Sequence, residues 1–373
     1  MKYYIIAGEA SGDLHASNLM KALLLEDPEA VFRFWGGDKM QEVGGTLVKH
    51  YKELAFMGFW EVFINLKTIL NNIGFCKKDI LEYNPDAIIY IDYPGFNMRI
   101  AAWAKKQNFK NLYYISPQIW AWKEKRISKI KRDLDALFVI LPFEKTYFKE
   151  KHNYEVQYVG NPLVDVIQEA IQEKDDFRSN QKLDQNTPLI ALLPGSRKQE
   201  ILKMMPTFIK VIQRFPQYKF IVAAAPGIDF EWYQQFLKDE SVLLVQNQTY
   251  SLLKNSFAAI VTSGTATLET ALFKVPQLVC YRSSFLSFQI AKRIITLPFI
   301  SLVNLIMDRK VVSEILQNDF TVEQIEKELK SITVSEKREI QLKDYESLNQ
   351  KLSTGGASVK TAKSIVNLLQ NKV

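Results

Sequence analysis

The chain has 373 residues, of which 47% are hydrophobic and 24% charged, so it is long enough for two α/β domains and has the composition of a soluble globular protein. Such a composition excludes a largely disordered chain. The formal net charge of +7 favours an anionic partner, such as a nucleotide, a nucleic acid or an acidic membrane surface.

The N-terminal residues predict a cytoplasmic protein. Met1 and Lys2 precede an apolar strand and a glycine turn, without the pattern of a signal peptide. The uncharged stretch 294–307 contains Pro298 and Asn304 and is shorter than the roughly 20 residues of a membrane-spanning helix. The two cysteines lie in apolar stretches without metal-ligand spacing, which favours buried thiols over a disulfide or a zinc site.

The first half of the chain alternates short apolar strand patterns with helical patterns. This alternation predicts a doubly wound parallel sheet, whose ligands bind at the carboxyl ends of the strands. The predicted strands are residues 3–7, 31–35, 87–91, 112–115 and 136–140.

A segment rich in charge and glutamine, 169–187, predicts a linker, and after it the alternation begins again. Further strands are predicted at 189–193, 220–224, 242–245 and 258–261. We expect an α/β protein with two Rossmann-like doubly wound domains that face each other across a cleft. The predicted boundaries are 1–168 for the first domain, 169–187 for the linker and 188–356 for the second domain, with the last helix, in 357–373, open to either domain.

The stretch 262–269 reads as the end of a buried strand, a tight turn and the start of a helix. Gly264 permits backbone angles closed to other residues, and a helix that begins at such a turn offers unpaired N–H groups to an anion, typically phosphate. Glu269 lies four positions after Thr265, on the same side of the helix, where a carboxylate suits the hydroxyls of a ribose. The alternative is a helix-end acid stabilised by the helix dipole.

Familiar phosphate and metal motifs are missing. Residues 8–12 fit neither the dinucleotide fingerprint nor a P-loop, and the three histidines form no helical pair. Asp175 and Asp176 lie in the predicted linker, so no acidic pair is in place to hold magnesium against a diphosphate. Arg197, in a turn between a strand and a helix, is the candidate for that diphosphate, and the alternative is a surface arginine.

Asp92 stands where the apolar strand 87–91 ends. A carboxylate at this place can act as a general base if it reaches an attacking hydroxyl, or it can cap the following helix. Glu9 and Asp13 are alternatives for the role of base.

Eight motifs follow one another along nearly the whole chain. They read AGEASGD at 7–13, MGxxEV at 57–62, IDxPxFN at 91–97, SPxxWAW at 116–122, LPFE at 141–144, LPGSRxxEI at 193–201, TSGTAxLE at 262–269 and NL at 304–305. Together they resemble the lipid-A-disaccharide synthases. The resemblance implies an inverting, metal-independent glycosyltransferase of the GT-B fold, without cofactor, which joins UDP-2,3-diacylglucosamine to 2,3-diacylglucosamine 1-phosphate and releases UDP on the cytoplasmic face of a Gram-negative inner membrane.

The resemblance also assigns residues to roles. Asp92 matches the essential aspartate, the base for the acceptor 6-hydroxyl. Gly95 replaces a second aspartate that is usual in the family, which removes one alternative base, and Asn161 replaces a common histidine, so no chemistry is expected there. The UDP side comprises Gly195, Ser196, Arg197, Thr262, Ser263, Gly264, Thr265, Ala266, Glu269 and Asn304, and the acceptor side of the cleft comprises Gly8, Glu9, Ser11 and Asp13.

The acylated substrates require an apolar entrance, and residues 56–64 are rich in aromatics. We expect Met57, Phe59, Trp60 and Phe63 to contact acyl chains or membrane, the alternative being that all are core. Basic residues at 123–132, next to two tryptophans, suit an anionic bilayer, or are a solvated helix. Nucleic acid is not an expected partner, and a homodimer is left open. Rival functions are another GT-B enzyme, such as a UDP-GlcNAc epimerase, and a non-catalytic binding protein.

Overall fold

The computed structural model describes residues 1–54, 66–237, 242–284, 288–289, 293, 297–334, 336–352 and 355–370. The chain divides into two compact units. The first comprises Met1–Pro162 with Thr354–Val373, and the second comprises Leu163–Ser353.

A seven-stranded parallel sheet forms the centre of the first unit, in the order β3-β2-β1-β4-β5-β6-β7. Its central strands are buried along almost their whole length, as expected of a parallel sheet that helices cover on both faces. The strands are β1 (Lys2–Ala7), β2 (Val31–Gly36), β3 (Thr46–His50), β4 (Ala87–Ile91), β5 (Asn111–Tyr114), β6 (Ala136–Val139) and β7 (Gln157–Tyr158).

Helices pack on both faces of this sheet. One core contains Leu19 and Leu23 together with Ile365 of the C-terminal helix, Ala357–Gln370, and the other contains Cys76 and Ile100. The C-terminal helix therefore belongs to the first unit. The remaining helices are α1 (Ala10–Glu26), α2 (Asp38–Val43), α3 (Leu66–Tyr83), α4 (Pro94–Lys106), α5 (Ile127–Asp133) and α6 (Pro142–Thr146), with α7 (Pro162–Gln172) leading into the second unit.

The second unit has a six-stranded parallel sheet in the order β10-β9-β8-β11-β12-β13. Its strands are β8 (Leu189–Leu193), β9 (Lys219–Ala224), β10 (Leu243–Gln246), β11 (Ser256–Thr262), β12 (Gln277–Tyr281) and β13 (Ser313–Leu316). Its helices are α8 (Phe177–Asn180), α9 (Lys198–Ile212), α10 (Phe230–Tyr233), α11 (Thr249–Lys254), α12 (Thr265–Leu272), α13 (Leu302–Met307), α14 (Val322–Val334) and α15 (Glu336–Lys351).

The segment predicted as a linker, 169–187, lies inside the second unit. Phe177 is buried in the core of this unit, and the Arg178 guanidinium donates hydrogen bonds to the carbonyls of Asp184, Thr187 and Asn255. The polar composition of the segment therefore reflects its exposed side, and the division between the units falls earlier, at the start of α7.

Both sheets reverse their strand order at one point. In the first unit β2 lies on one side of β1 and β4 on the other, so the switch point is between β1 and β4. In the second unit it is between β8 and β11. Loops that follow such a pair diverge and leave a crevice at the carboxyl ends of the strands. The turns after β1, β4, β8 and β11 carry most of the predicted site residues.

The structure also describes the two cysteines and the hydropathy of the helices. Cys76 and Cys280 are both buried free thiols, which confirms the interpretation of the cysteines. Among the helices that the structure describes, none combines the length and the hydropathy needed to cross a bilayer.

Candidate active site

In the first unit, the turns after β1 and β4 enclose a small pocket. Asp92 lies here directly after β4, next to the β1 turn, as the strand pattern predicts. The pocket is lined by Gly8, Glu9, Ser11, Gly12, Ile91, Asp92 and Tyr93.

Gly8 is required where these two turns touch. A Cβ atom at Gly8 would lie 2.4 Å from ring carbons of Tyr93, far inside van der Waals contact. Any larger residue would displace Tyr93 and the backbone of Asp92 beside it. Gly8, which was predicted at the acceptor side, therefore allows the Asp92 turn to approach the turn after β1.

Asp92 and Tyr93 both adopt left-handed backbone conformations, with φ of 44° and 48°. The Asp92 carbonyl accepts hydrogen bonds from the side-chain amide of Asn97, at 2.8 Å, and from the Tyr113 phenol. Asn97 is completely buried, so its amide is a fixed donor. These donors hold a conformation that L residues rarely adopt and thereby fix the direction of the Asp92 carboxylate.

Burial raises the pKa of the Asp92 carboxyl to about 7, with further contributions from the negative charges of Glu9 and Glu144. A hydrogen bond from the Tyr93 backbone N–H opposes this rise. A carboxylate with a pKa near the working pH is well matched to general base catalysis, because it is ionised often enough to act and basic enough to take a proton. The alternative prediction, that Asp92 caps the following helix, is not supported. The N-cap of α4 is Tyr93, and no side-chain hydrogen bond caps this helix there.

We expect the pH dependence of turnover to report this carboxyl. Asp92 is protonated below its raised pKa, so kcat/KM should rise with pH through a midpoint near 7. Glu9→Gln removes a negative charge that raises the pKa of Asp92, so the midpoint should move to lower pH. Full pH profiles of parent and variant measure the effect independently of absolute rate. If the midpoint does not move, the charge of Glu9 does not influence the group that titrates.

Asp13 has a different role from the one predicted. Its carboxylate is buried and accepts hydrogen bonds from the backbone N–H groups of Gly37, Lys39 and Met40, at 2.7, 3.1 and 3.2 Å. It therefore caps the start of α2 and joins β2 to α1. With both oxygens engaged in this way, Asp13 is not a competing base, whereas Glu9 remains exposed at the pocket.

A buried carboxylate that the sequence motifs contain, but to which no role was assigned, supports the neighbouring loop. Glu144 accepts hydrogen bonds from the Ser116 hydroxyl at 2.8 Å, the Trp120 indole N–H at 3.1 Å and the Leu141 N–H at 2.9 Å. Burial raises the pKa of Glu144, and these donors oppose the rise. The ionised form is thus well solvated by protein groups, and Glu144 anchors the loop after β5 next to Asp92.

The second unit presents the turns after β8 and β11 side by side, because Leu193 and Val261 are paired in neighbouring strands. Gly195 and Gly264 have φ of 117° and 145°, a region that favours glycine. The helices α9 and α12 begin at these turns, and no described side chain caps either one. Their first N–H groups and dipoles therefore point at the same edge of the sheet, where an anion would be stabilised.

The side chains at these turns suit an anionic ligand. The Arg197 side chain is 65% exposed and lies 3.6 Å from the Glu200 carboxylate, so its guanidinium can reach a ligand. Ser196, Gly264 and Thr265 are also exposed. Thr262 is buried, and among the described residues its hydroxyl has no hydrogen-bond partner, which leaves it available.

Glu269 is held by a residue that the sequence did not single out. The Tyr250 hydroxyl, at the start of α11, donates to Glu269 Oε1 at 3.3 Å. Burial raises the pKa of Glu269, and the hydrogen bond from Tyr250 opposes the rise. A partly buried, oriented carboxylate of this kind can accept hydrogen bonds from vicinal hydroxyls. The neighbouring Ala266 contributes to the core under this helix.

Asn304 contributes in another way than predicted. It is completely buried, its Nδ2 donates to the Val312 carbonyl and to Glu314, and its Oδ1 accepts from the N–H groups of Val311 and Val312. All hydrogen-bonding groups of the amide are thus satisfied internally, and none is left for UDP. Asn304 instead fixes the segment that begins α13.

The same segment is tied to the phosphate turn. Glu314 on β13 accepts hydrogen bonds from the N–H groups of Ile300 and Ser301 as well as from Asn304. The hydroxyl of Ser263 donates to the Ile300 carbonyl at 3.0 Å. Glu314, which sequence reasoning missed, thereby links β13 to the turn after β11.

The predicted membrane residues Met57, Phe59, Trp60 and Phe63 lie outside the described residues. On α3, which follows them in the chain, Leu70 and Phe75 are 55% and 50% exposed. Within the described parts of the chain, no three His, Cys, Asp or Glu side chains gather closely enough to hold a metal ion.

Two Rossmann-like units, each with its candidate residues at a switch point, define the GT-B class of fold. Solved structures support this assignment at 10–14% identity, where the likeness concerns the fold alone. One is a UDP-GlcNAc 2-epimerase from Neisseria meningitidis bound to UDP-GlcNAc, with a TM-score of 0.66 and 12% identity over all of both chains. The S. aureus MnaA–UDP structure has a TM-score of 0.71 and 14% identity, and the match covers 99% of this chain and 96% of that one. The glycotransferase of kitacinnamycin has a TM-score of 0.68 and 10% identity over 99% of both chains.

Sequence comparison then identifies the family. A sequence model described as lipid-A-disaccharide synthetase matches residues 3–367. The lipid-A-disaccharide synthases of Myxococcus xanthus and Coxiella burnetii (strain CbuG_Q212) are 34% and 35% identical to this chain. Each alignment covers 98% of this chain, and the two cover 97% and 98% of the respective relatives. The chain belongs to the lipid-A-disaccharide synthetase family. It is a glycosyltransferase of lipid A biosynthesis, which confirms the fold and the enzyme class predicted from the motifs.

Proposed function

We propose that the chain transfers 2,3-diacylglucosamine from UDP-2,3-diacylglucosamine to the 6-hydroxyl of 2,3-diacylglucosamine 1-phosphate, with inversion and release of UDP. The observation that carries the chemistry is Asp92, fixed at a switch point with a pKa of about 7. Inverting transfer needs one base, and this carboxylate is suited to it.

On the acceptor side, the Asp92 carboxylate removes the proton of the 6-hydroxyl as its oxygen attacks the anomeric carbon of the donor. The new carbon–oxygen bond forms on the face opposite the departing UDP. The bond from that carbon to the diphosphate oxygen breaks, and UDP leaves with the electron pair. The proton ends on Asp92, which returns it to water before the next cycle.

On the donor side, the second unit binds UDP. The uncapped starts of α9 and α12 and the exposed Arg197 meet the diphosphate and the negative charge that grows on it. Glu269, oriented by Tyr250, accepts hydrogen bonds from the ribose hydroxyls. These protein groups supply the charge stabilisation, so we propose that no metal ion takes part.

Thin-layer chromatography of the products from the two acylated monosaccharides tests this proposal. A new disaccharide 1-phosphate together with UDP is the expected result. Donor and acceptor without acyl chains should give little product. Conversion of UDP-GlcNAc itself, without an acceptor, would instead indicate an epimerase, the activity named for several proteins of similar fold.

We further propose that the chain binds peripherally to the cytoplasmic face of the inner membrane. Leu70 and Phe75 are exposed on α3, and the aromatic stretch 56–64 precedes this helix in the chain. Insertion of these apolar side chains into the headgroup region would let acyl chains pass from bilayer to site. Lys125 and Lys129 are exposed in the basic segment and would add attraction to anionic lipid.

The two contributions should separate by their salt dependence. Trp60→Ser with Phe63→Ser should lower co-sedimentation with anionic vesicles at every ionic strength. Lys125→Ala with Lys129→Ala should lower it mainly at low salt, because only electrostatic attraction is screened. Arg132 is unsuitable for this test, since it is paired with Asp133. Full vesicle binding by the aromatic variant, with a collapsed melting temperature, would mean that these side chains are core.

A further inference from the structure

Two basic residues lie together in the turn that follows Trp122. The Lys123 carbonyl accepts a hydrogen bond from the Arg126 N–H at 2.9 Å and opens the 3-10 helix Glu124–Arg126. Lys123 is the N-cap of this helix, and its side chain and that of Arg126 both extend to the Trp122 ring. Lys123 also has a left-handed backbone, with φ of 57°.

Both cations pack against one indole. Lys123 Nζ lies 4.0 Å and Arg126 Cζ lies 5.6 Å from the centre of the Trp122 ring, which is itself 45% exposed. The acid between them, Glu124, turns away and pairs with Lys151 and His152. Neither Lys123 nor Arg126 has a carboxylate within 4 Å among the residues that the structure describes.

Such a pair of positive charges is unfavourable without an anion. Burial lowers the pKa of Lys123, and the neighbouring Arg126 charge lowers it further. Contact with an indole attracts each cation only weakly at an exposed site and neutralises neither charge. A dianion placed between the two side chains would offset their repulsion and gain charge-assisted hydrogen bonds.

The turn lies on the edge of the sheet that carries Asp92. It follows β5, the neighbour of β4, and Glu144 anchors the first part of this loop through Ser116 and Trp120. Burial raises the pKa of the Tyr113 phenol, and the charge of Arg126 opposes that rise, so the guanidinium lies within electrostatic reach of the phenol that holds the Asp92 carbonyl.

We propose that Trp122, Lys123 and Arg126 form a subsite for a phosphate monoester, which in the reaction is the anomeric phosphate of the acceptor sugar. This inference rests on the proposed function, in which the acceptor is the substrate that carries a phosphate monoester. Two cations match the charge of −1.5 to −2 that a phosphate monoester carries near neutral pH, as a phosphorylated side chain does. The subsite would hold the acceptor by its phosphate while Asp92 meets its 6-hydroxyl.

The variant Lys123→Asn with Arg126→Gln removes both charges, and asparagine tolerates the left-handed backbone at 123. Assays use neutral detergent micelles, which contain no anionic headgroups, and compare the acceptor with the same diacylglucosamine lacking the phosphate. KM for the phosphorylated acceptor should rise at least tenfold, while kinetics with the unphosphorylated acceptor and KM for the donor stay near parent values. The control Lys21→Gln with Lys106→Gln removes the same charge from exposed positions of the same unit and should change neither.

An equal loss with both acceptors would overturn the subsite, since it would mean a structural role. So would an effect confined to anionic vesicles, which would mean that the cluster binds lipid headgroups. If the parent forms no disaccharide at all, the proposed function fails, and the subsite is judged by binding alone.

Calorimetry with soluble glucosamine 1-phosphate is then the test. The parent and the control should bind this compound, and the double variant should not. Equal binding by all three proteins would overturn the inference.

Discussion

Asp92→Asn should reduce the rate of transfer by roughly 100-fold or more while leaving UDP affinity near the parent value. Asparagine keeps the size of the side chain but cannot accept the proton of the attacking hydroxyl. It also tolerates the left-handed backbone at this position, where φ is 44°, so the turn should persist. Turnover with saturating substrates, together with calorimetric binding of UDP, measures both quantities.

The melting temperature provides the control for this variant. Because the folded-state pKa of Asp92 lies above its ordinary value, folding at neutral pH works against ionisation of this carboxyl. Removing the charge should therefore leave stability equal or higher. A stable variant with near-parent turnover would show that another group is the base, and Glu9 would be the first candidate because the Asp13 carboxylate is engaged at α2.

Glu269→Ala should weaken UDP binding by about 1–3 kcal/mol, since a partly buried, charged acceptor of the ribose hydroxyls is lost. Tyr250→Phe should cause a smaller loss of the same kind. Without the phenol the pKa of Glu269 rises further, so UDP affinity should fall at a higher pH in the variant than in the parent as the solution is acidified.

Calorimetry with UDP and 2′-deoxy-UDP distinguishes this role from a structural one. The parent should prefer the ribonucleotide, and Glu269→Ala should lose most of that preference. If UDP affinity is unchanged and the melting temperature is normal, Glu269 is only a helix-end acid.

The buried strands were predictable from the sequence because a parallel sheet covered on both faces requires continuous apolar runs. Residues 87–91 and 189–193 were predicted with the bounds that β4 and β8 have in the structure. The strands β3 and β7 were missed because they lie at opposite edges of the sheet and are only partly buried, and β7 has only two residues. Edge strands bury one side at most, so their apolar pattern is weak.

Position at a strand end predicted where Asp92, Arg197 and Glu269 stand, because the carboxyl ends of parallel strands share one edge. It did not predict what each side chain contacts. Asp13 and Asn304 occur in motifs of the site, yet their polar groups are engaged elsewhere. Asp13 accepts hydrogen bonds from backbone N–H groups more than twenty positions away, and Asn304 is bonded to the backbone of Val311 and Val312 and to the Glu314 carboxylate.

The residues that hold the site in place, Glu144 and Tyr250, could not be predicted for the same reason. Glu144 binds Ser116 and Trp120 across more than twenty positions, and Tyr250 reaches Glu269 from a different helix. Hydrogen bonds of this range depend on the packed fold, whereas spacing in the sequence reports only the neighbours within one strand or helix.

The anomeric configuration of the product tests the central claim, direct inverting displacement with Asp92 as base, most directly. With an α-linked UDP-sugar as donor, NMR of the isolated disaccharide should show a β-1,6 linkage from the parent protein. An α linkage would mean retention of configuration, which a single base cannot produce in one displacement, and would contradict the role given to Asp92.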